Sequence, residues 1–287
     1  FTRSIPMQIA GYEVKALETG RFALDGGAMF GVVPKVVWEK KNPADALNRI
    51  ALALRVLLLV GHGRVVLVDT GIGDKFSERH QAMYAIDPEA GTLLSALAEQ
   101  GFAAADVTDV VLTHLHFDHA GGATRRLPDG QLVPTFPNAT YHVQRRNWDW
   151  AHNPSEKDRA SYLPENFAPL AEAGQVNWVE GSGAILPGVY AWLSEGHTVG
   201  QQLIQVRDEI QTLMYCADII PTSTHLAVPY VMGYDLHPLT TIAEKKEILE
   251  QAAEAGWIVV FEHDPEMQAC TVMRTEKGFA PAEAVTL

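Results

Sequence analysis

Cysteine is nearly absent: Cys216 and Cys270 are the only two among 287 residues. Two thiols cannot build a disulfide framework, and neither belongs to a CxxC pair, so a reducing compartment fits and the chain is expected to be cytoplasmic. A removed export signal is the alternative, because Phe1 rather than methionine comes first. Long apolar runs are also missing. Runs such as Val56 to Val60 fall far short of the roughly 20 residues that cross a bilayer, and no charged-then-apolar segment opens the chain. Basic residues are scarce: 22 Lys and Arg against 35 Asp and Glu leave a net charge of −13, a field that repels phosphate backbones and anionic headgroups. Nucleic acid and membrane surfaces are therefore excluded as partners in this reading. No GxSxG elbow supports a serine-hydrolase route, and no low-complexity tract or short repeat is present.

What is there suits a globular chain. Hydrophobic residues make up 47% and charged residues 20%, enough apolar material for a sizeable core and too little charge for disorder. Residues 54–60 and 64–69 read as two buried strands joined by Gly61-His62-Gly63. Leu93, Leu94, Leu97 and Ala98 recur at helical spacing before Gly101. Strands are expected at 107–113, 139–144, 190–193, 202–206, 211–215 and 257–261, with an amphipathic helix over 242–255 that ends at Gly256. This alternation indicates an α/β protein with one domain over 1–287. Asp69 and Asp218 each end a strand, which suggests two similar halves. Residues 145–181 hold Trp148, Trp150, Tyr162, Phe167 and Trp178 among polar residues. They read as a helical insertion, a cap over the site, rather than a strand.

The chemistry concentrates in Thr113-His114-Leu115-His116-Phe117-Asp118-His119-Ala120-Gly121-Gly122, four metal-competent side chains within six residues after an apolar strand. In extended backbone, positions i and i+2 point the same way, so His114 and His116 can share one metal while the chain turns to aim Asp118 and His119 elsewhere. Ala120, Gly121 and Gly122 would allow a sharp turn there. His197, Asp218 and His263 follow later apolar runs. Imidazole and carboxylate donors without a thiolate suit Zn, with Fe, Mn or Co as alternatives, and one carboxylate between two sites can bridge them.

The HxHxDH motif, with His, Asp and His following in order, resembles the metallo-β-lactamase superfamily. The resemblance implies an αβ/βα sandwich, two mixed β-sheets face to face with helices outside and metals at one sheet edge. It further implies one divalent ion on His114, His116 and His197, a second on Asp118, His119 and His263, and Asp218 bridging them, with Asp118 and Asp218 as the catalytic carboxylates and Asp69 behind the first loop. The surroundings are most similar to the N-acyl homoserine lactonase and organophosphate hydrolase branch, on Phe136-Pro137-Asn138-Ala139 and on Asp218-Ile219-Ile220-Pro221-Thr222 through His225. Pro221 stands where some homoserine lactonases carry a tyrosine, and Gly196-His197-Thr198-Val199-Gly200 replaces the usual Gly-His-Thr-Pro-Gly.

The expected activity is therefore lactone ring opening by a metal-bridging hydroxide on a small-molecule ester or lactone, N-acyl homoserine lactones (quorum quenching) included. A phosphotriesterase or arylesterase of the same fold is the alternative. A mononuclear-iron persulfide dioxygenase, opposed by the complete second ligand set, and a non-catalytic binding protein rank lower. Met29, Phe30, Phe117, Trp148, Trp150 and His225 are candidates for the substrate pocket, with packing or homodimer contacts as the competing reading for the aromatics and a loop hydrogen bond for His225. His62, His80, His142, His152 and His237 read as ordinary histidines, and Cys216 as buried filler.

Overall fold

The chain's alternating apolar runs fold into two seven-stranded sheets, each of which buries one face against the other. The computed structural model describes residues 7–87 and 90–287; Phe1 lies outside them. The first sheet runs β1 (Met7–Ile9), β2 (Tyr12–Asp25), β3 (Arg49–Gly61), β4 (Arg64–Val68) and β5 (Asp109–Val111). A small pair, β6 (Thr124–Arg126) and β7 (Leu132–Pro134), stands apart, and β8 (Thr140–Gln144) and β9 (Val176–Val179) complete the first sheet. The second sheet takes β10 (Gly183–Leu186), β11 (Val189–Ser194), β12 (Gln201–Arg207), β13 (Thr212–Tyr215), β14 (Ile258–Val260), β15 (Ala269–Thr275) and β16 (Gly278–Val285) in chain order.

The reason for two layers is visible in β3. Leu57 and Leu59 enter the core between the sheets, while Val56 and Leu58 enter a second core on the outer face, the period-two alternation of a strand buried on both sides. That outer face is covered by α4 (Leu93–Glu99), α6 (Arg145–His152) and α7 (Ala168–Glu172), and α8 (Pro238–Ala255) covers the second sheet through Ile248, Leu249 and Ala252. Shorter helices α1 (Gly26–Phe30), α2 (Lys35–Trp38), α3 (Glu78–Met83) and α5 (Phe117–Ala120) lie in the loops. This is an αβ/βα sandwich, two mixed sheets face to face with helices outside. No helix among the described residues is long and apolar enough to cross a membrane.

Both sheets place an antiparallel block beside a parallel step, β4 against β5 and β13 against β14. Parallel neighbours end on the same side, so the loops after β5, β13 and β14 meet at one edge, joined there by the loop after β11. Asp69 and Ala217, just beyond β4 and β13, both hold positive φ, 63° and 42°. Non-glycine residues avoid that region, and such local strain clusters at functional sites.

Two expectations need correction. Residues 145–181 are not a purely helical insertion: Val176–Val179 form β9, paired in parallel with β8, because Trp178 packs on Trp148 with ring centroids 5.0 Å apart and Arg145 covers its face. The helix expected over 242–255 begins at Pro238, since a proline at the first position lacks only an N–H that would be unpaired there anyway.

Candidate metal centre

The loop after β5 delivers His114 and His116, and α5 then turns Asp118 and His119 the other way. His197 follows β11, Asp218 follows β13 and His263 follows β14. All seven side chains are buried. They fall into two groups of converging donors, His114, His116, His197 and Asp218 in one, Asp118, His119 and His263 in the other.

In the first group His116 Nδ1 lies 3.0 Å from His114 Nε2 and 3.2 Å from His197 Nε2, and Asp218 Oδ2 is 3.1 Å from His197 Nε2 and 3.9 Å from His114 Nε2. In the second, His263 Nε2 is 3.4 Å from His119 Nε2 and 3.7 Å from Asp118 Oδ2, with His119 Nε2 3.8 Å from Asp118 Oδ1. The other oxygen of Asp218, Oδ1, faces this group at 3.1 Å from His263 and 3.4 Å from His119. Four ligands held tetrahedrally at about 2.1 Å lie about 3.4 Å apart, so both groups have the spacing of a cation cage. Asp218 Oδ1 makes no hydrogen bond despite its burial, which suits a ligand atom better than a packed carboxylate. The residues fit divalent metal ions.

Outer partners aim four of the five rings. His114 Nδ1 meets Thr113 Oγ1 at 3.1 Å, His197 Nδ1 meets Asp235 Oδ1 at 2.9 Å and His263 Nδ1 meets the Ala53 carbonyl at 2.9 Å. His119 Nδ1 meets Asp69 Oδ2 at 3.1 Å, and Asp69 also accepts from Thr113 N and Oγ1, both at 2.7 Å. Asp69 therefore orients a ligand rather than merely capping a loop. With Nδ1 engaged, Nε2 of these four rings is directed to the centre. Burial and the neighbouring imidazoles push His114 and His116 well below the usual histidine range, the neutral form that ligation requires. Burial works against charge on His197 and His263 as well, but the surrounding carboxylates, Asp218 foremost with Asp235 beside His197 and Glu262 beside His263, together outweigh it and lift both to about 9. Metal uptake there is proton-coupled.

Several participants carry no motif. Asp235, beside His197, and Glu262, whose Oε2 lies 2.9 Å from His119 Nδ1, were not singled out; only the adjacency of Glu262 to His263 offered a signal. Burial pushes Glu262 up to about 8. Asn147 of α6 accepts from Leu115 N and donates to the Val199 carbonyl and to Tyr162 Oη, tying the expected cap to both ligand loops. Asp235→Asn is expected to weaken metal affinity by about 10–100-fold, read by competition with a chromophoric chelator; unchanged affinity would show that His197 needs no carboxylate behind it.

A cavity of about 200 Å³ opens over the donors, walled by Leu24, Met29, Tyr84, Phe117, Met232 and Tyr234. Of the six residues named from the sequence as pocket candidates, Met29 and Phe117 are in this wall. Four others do not line it. Phe30 is fully buried, stacked on Trp38 and His225 at 5.3 and 4.7 Å. His225 Nε2 donates to the Met29 carbonyl and Nδ1 meets Thr222 Oγ1, and burial pushes its pKa to about 3, so it holds the cavity wall as a neutral ring. Trp148 is packed among Phe167 and Trp178 in the outer core. Trp150 donates to Asp158 at 2.7 Å and so acts one residue back from the wall. Lys157, in that wall, donates all three of its protons to the carbonyls of Gly233, Tyr234 and Asp235.

Fold and centre together define a metal-dependent hydrolase. The chain belongs to the metallo-beta-lactamase superfamily, which it matches over residues 55–263. A probable metallo-hydrolase of Mycobacterium tuberculosis is 25% identical across 93% of this chain and 94% of that protein. An N-acyl homoserine lactonase of Bacillus cereus is 26% identical across 79% of this chain and 86% of that protein. Among solved structures, a probable metal-dependent hydrolase from Staphylococcus aureus superposes with a TM-score of 0.86 at 28% identity, covering 98% of this chain and all of that one.

Proposed function

We propose that this hydrolase holds two zinc ions and opens lactone rings, N-acyl homoserine lactones among them. The observation that carries the reading is the compact, largely apolar cavity set directly over two donor groups that share Asp218; its size suits a small ring, and its Met and Phe walls suit an acyl chain. The likeness to a homoserine lactonase over most of the chain supports it. Two divalent ions, when bound, supply Lewis acidity and lower the pKa of water towards about 7. The chain's own residues do the rest. Asp218 orients the two ligand groups about one point, Met29 and Phe117 exclude water from the acyl side, and Asp118 presents its carboxylate to the cavity, where it can take a proton from the attacking water and pass it to the departing ring oxygen.

The test is metal content per chain together with kcat/KM on N-hexanoyl homoserine lactone, before and after chelation. Close to two zinc ions, with ring opening abolished by chelator and restored by zinc, is expected. Two metals with hydrolysis of a phosphotriester or aryl ester but not of lactones would transfer the assignment to those esters, in keeping with Pro221 in place of a tyrosine. One iron per chain would overturn the dinuclear reading.

A further inference from the structure

Two phenols line the cavity with no hydrogen-bond partner among the described residues. Tyr84, at the end of α3, and Tyr234, in the loop before α8, are both half-buried cavity residues that come from different sheets' connections. Neither hydroxyl makes a hydrogen bond to any other described residue. Most buried tyrosines here are different: Tyr141 donates to the Ala123 carbonyl, Tyr215 to that of Arg55, and Tyr162 pairs with Thr198. An amphipathic ring held in place while its polar tip stays free is the usual build of a ligand contact.

The rings are held. Tyr84 packs against Phe117 and Phe76 with centroids 5.0 and 5.7 Å apart, and the Tyr234 carbonyl is pinned at 2.8 Å by Lys157. Both lie within electrostatic reach of the metal centre. Burial raises the pKa of each, Asp118 adds to it for both, and Asp218 adds to it for Tyr234. At neutral pH they are protonated donors beside carboxylates they do not bond. Lys157, the only lysine or arginine in the described cavity wall, has no proton left to offer.

We infer that Tyr84 and Tyr234 hold the substrate: their phenol O–H groups donate hydrogen bonds to the carbonyl oxygen of the ester that is cleaved, and to the negative charge that gathers on it. No proton leaves either phenol, so the step needs no further reactant. This assignment rests on the lactonase reading for the identity of the ester, and on the cavity alone for the identity of the donors. A hydrogen bond that strengthens as charge develops acts on kcat more than on KM.

Tyr84→Phe, Tyr234→Phe and the double variant, each fully metal-loaded, are assayed on N-hexanoyl homoserine lactone, phenyl acetate and a dialkyl aryl phosphotriester. Phenylalanine keeps the ring packing, and unchanged metal content and melting temperature verify the fold. We expect Tyr234→Phe to lower kcat/KM by about 10–100-fold, mainly through kcat, with a larger loss in the double variant. A double variant within twofold of the parent on the preferred substrate would overturn the inference. If the parent cleaves phenyl acetate or the triester instead of the lactone, the lactonase reading fails and the same variants are judged on that substrate. If it cleaves none, calorimetric binding of ring-opened N-hexanoyl homoserine decides: a Kd raised tenfold or more in the double variant supports the phenols, and an unchanged Kd refutes them.

Discussion

Asp218→Ala is expected to strip metal from both halves of the centre and to lower kcat/KM by about 10³-fold or more. The magnitude follows from position. Asp218 is the one side chain that presents an oxygen to each group, Oδ2 at 3.1 Å from His197 Nε2 and Oδ1 at 3.1 Å from His263 Nε2. Its removal also takes from His119, His197 and His263 the carboxylate that all three share, leaving Asp118 as the one carboxylate among the converging donors. His263→Ala, by contrast, removes a donor from the second group only. Elemental analysis of both variants separates the cases: loss of both metals in Asp218→Ala beside loss of one in His263→Ala is the expected pattern. Retention of two metals in Asp218→Ala would show that the carboxylate does not bridge.

Gly121→Ala is expected to destabilise the protein by about 2–4 kcal/mol and to lower its metal content. Here the expectation from sequence and the structure agree on the residue and differ on the reason. The glycines after His119 were read as allowing a sharp turn, yet Gly121 has an ordinary helical φ of −60°. The requirement is space. A Cβ on Gly121 would stand 2.1 Å from the Ile72 carbonyl oxygen, and one on Gly122 would stand 2.2 Å from that of Thr70. Both obstacles are backbone, which no side-chain rotation can relieve. This close stacking lets Thr70 N and Oγ1 donate to the His119 carbonyl, each at 2.8 Å, and Gly122 N to that of Gly71 at 3.1 Å. Any separation of the two loops draws Asp69 away from His119. Urea unfolding of the metal-free protein measures the first effect, and metal content the second; a variant as stable as the parent would place the loops' tolerance well above what these distances allow.

The pattern of what could be read in the chain follows from range. Strand β3, helix α4 and the order His114, His116, Asp118, His119 were legible because each is a local arrangement: alternation, helical spacing, and donors a few residues apart at the end of one strand. The later ligands His197, Asp218 and His263 were legible through their resemblance to a superfamily that spaces them in the same order. Asp235 was not, since 38 residues separate it from His197 and no local pattern marks a carboxylate that meets a ring only after folding.

The aromatics show the same boundary. Phe117 and Met29 reach the cavity, whereas Trp148, Trp150 and Phe30 are equally apolar and point elsewhere, and nothing in their immediate neighbours distinguishes the two groups. Tyr84 and Tyr234 converge from segments far apart in the chain. The sequence by itself determined the α/β class, the donor cluster from His114 to His119 and the place of small residues beside it, because periodicity and short spacing act through bonds and local sterics; the later ligands and the division into two groups came through the resemblance. Which face of β9 and α6 is buried, which carboxylate backs which imidazole and which phenols are left free were decided only by the packing of the two sheets' loops at one edge, where contacts depend on geometry summed over the whole chain.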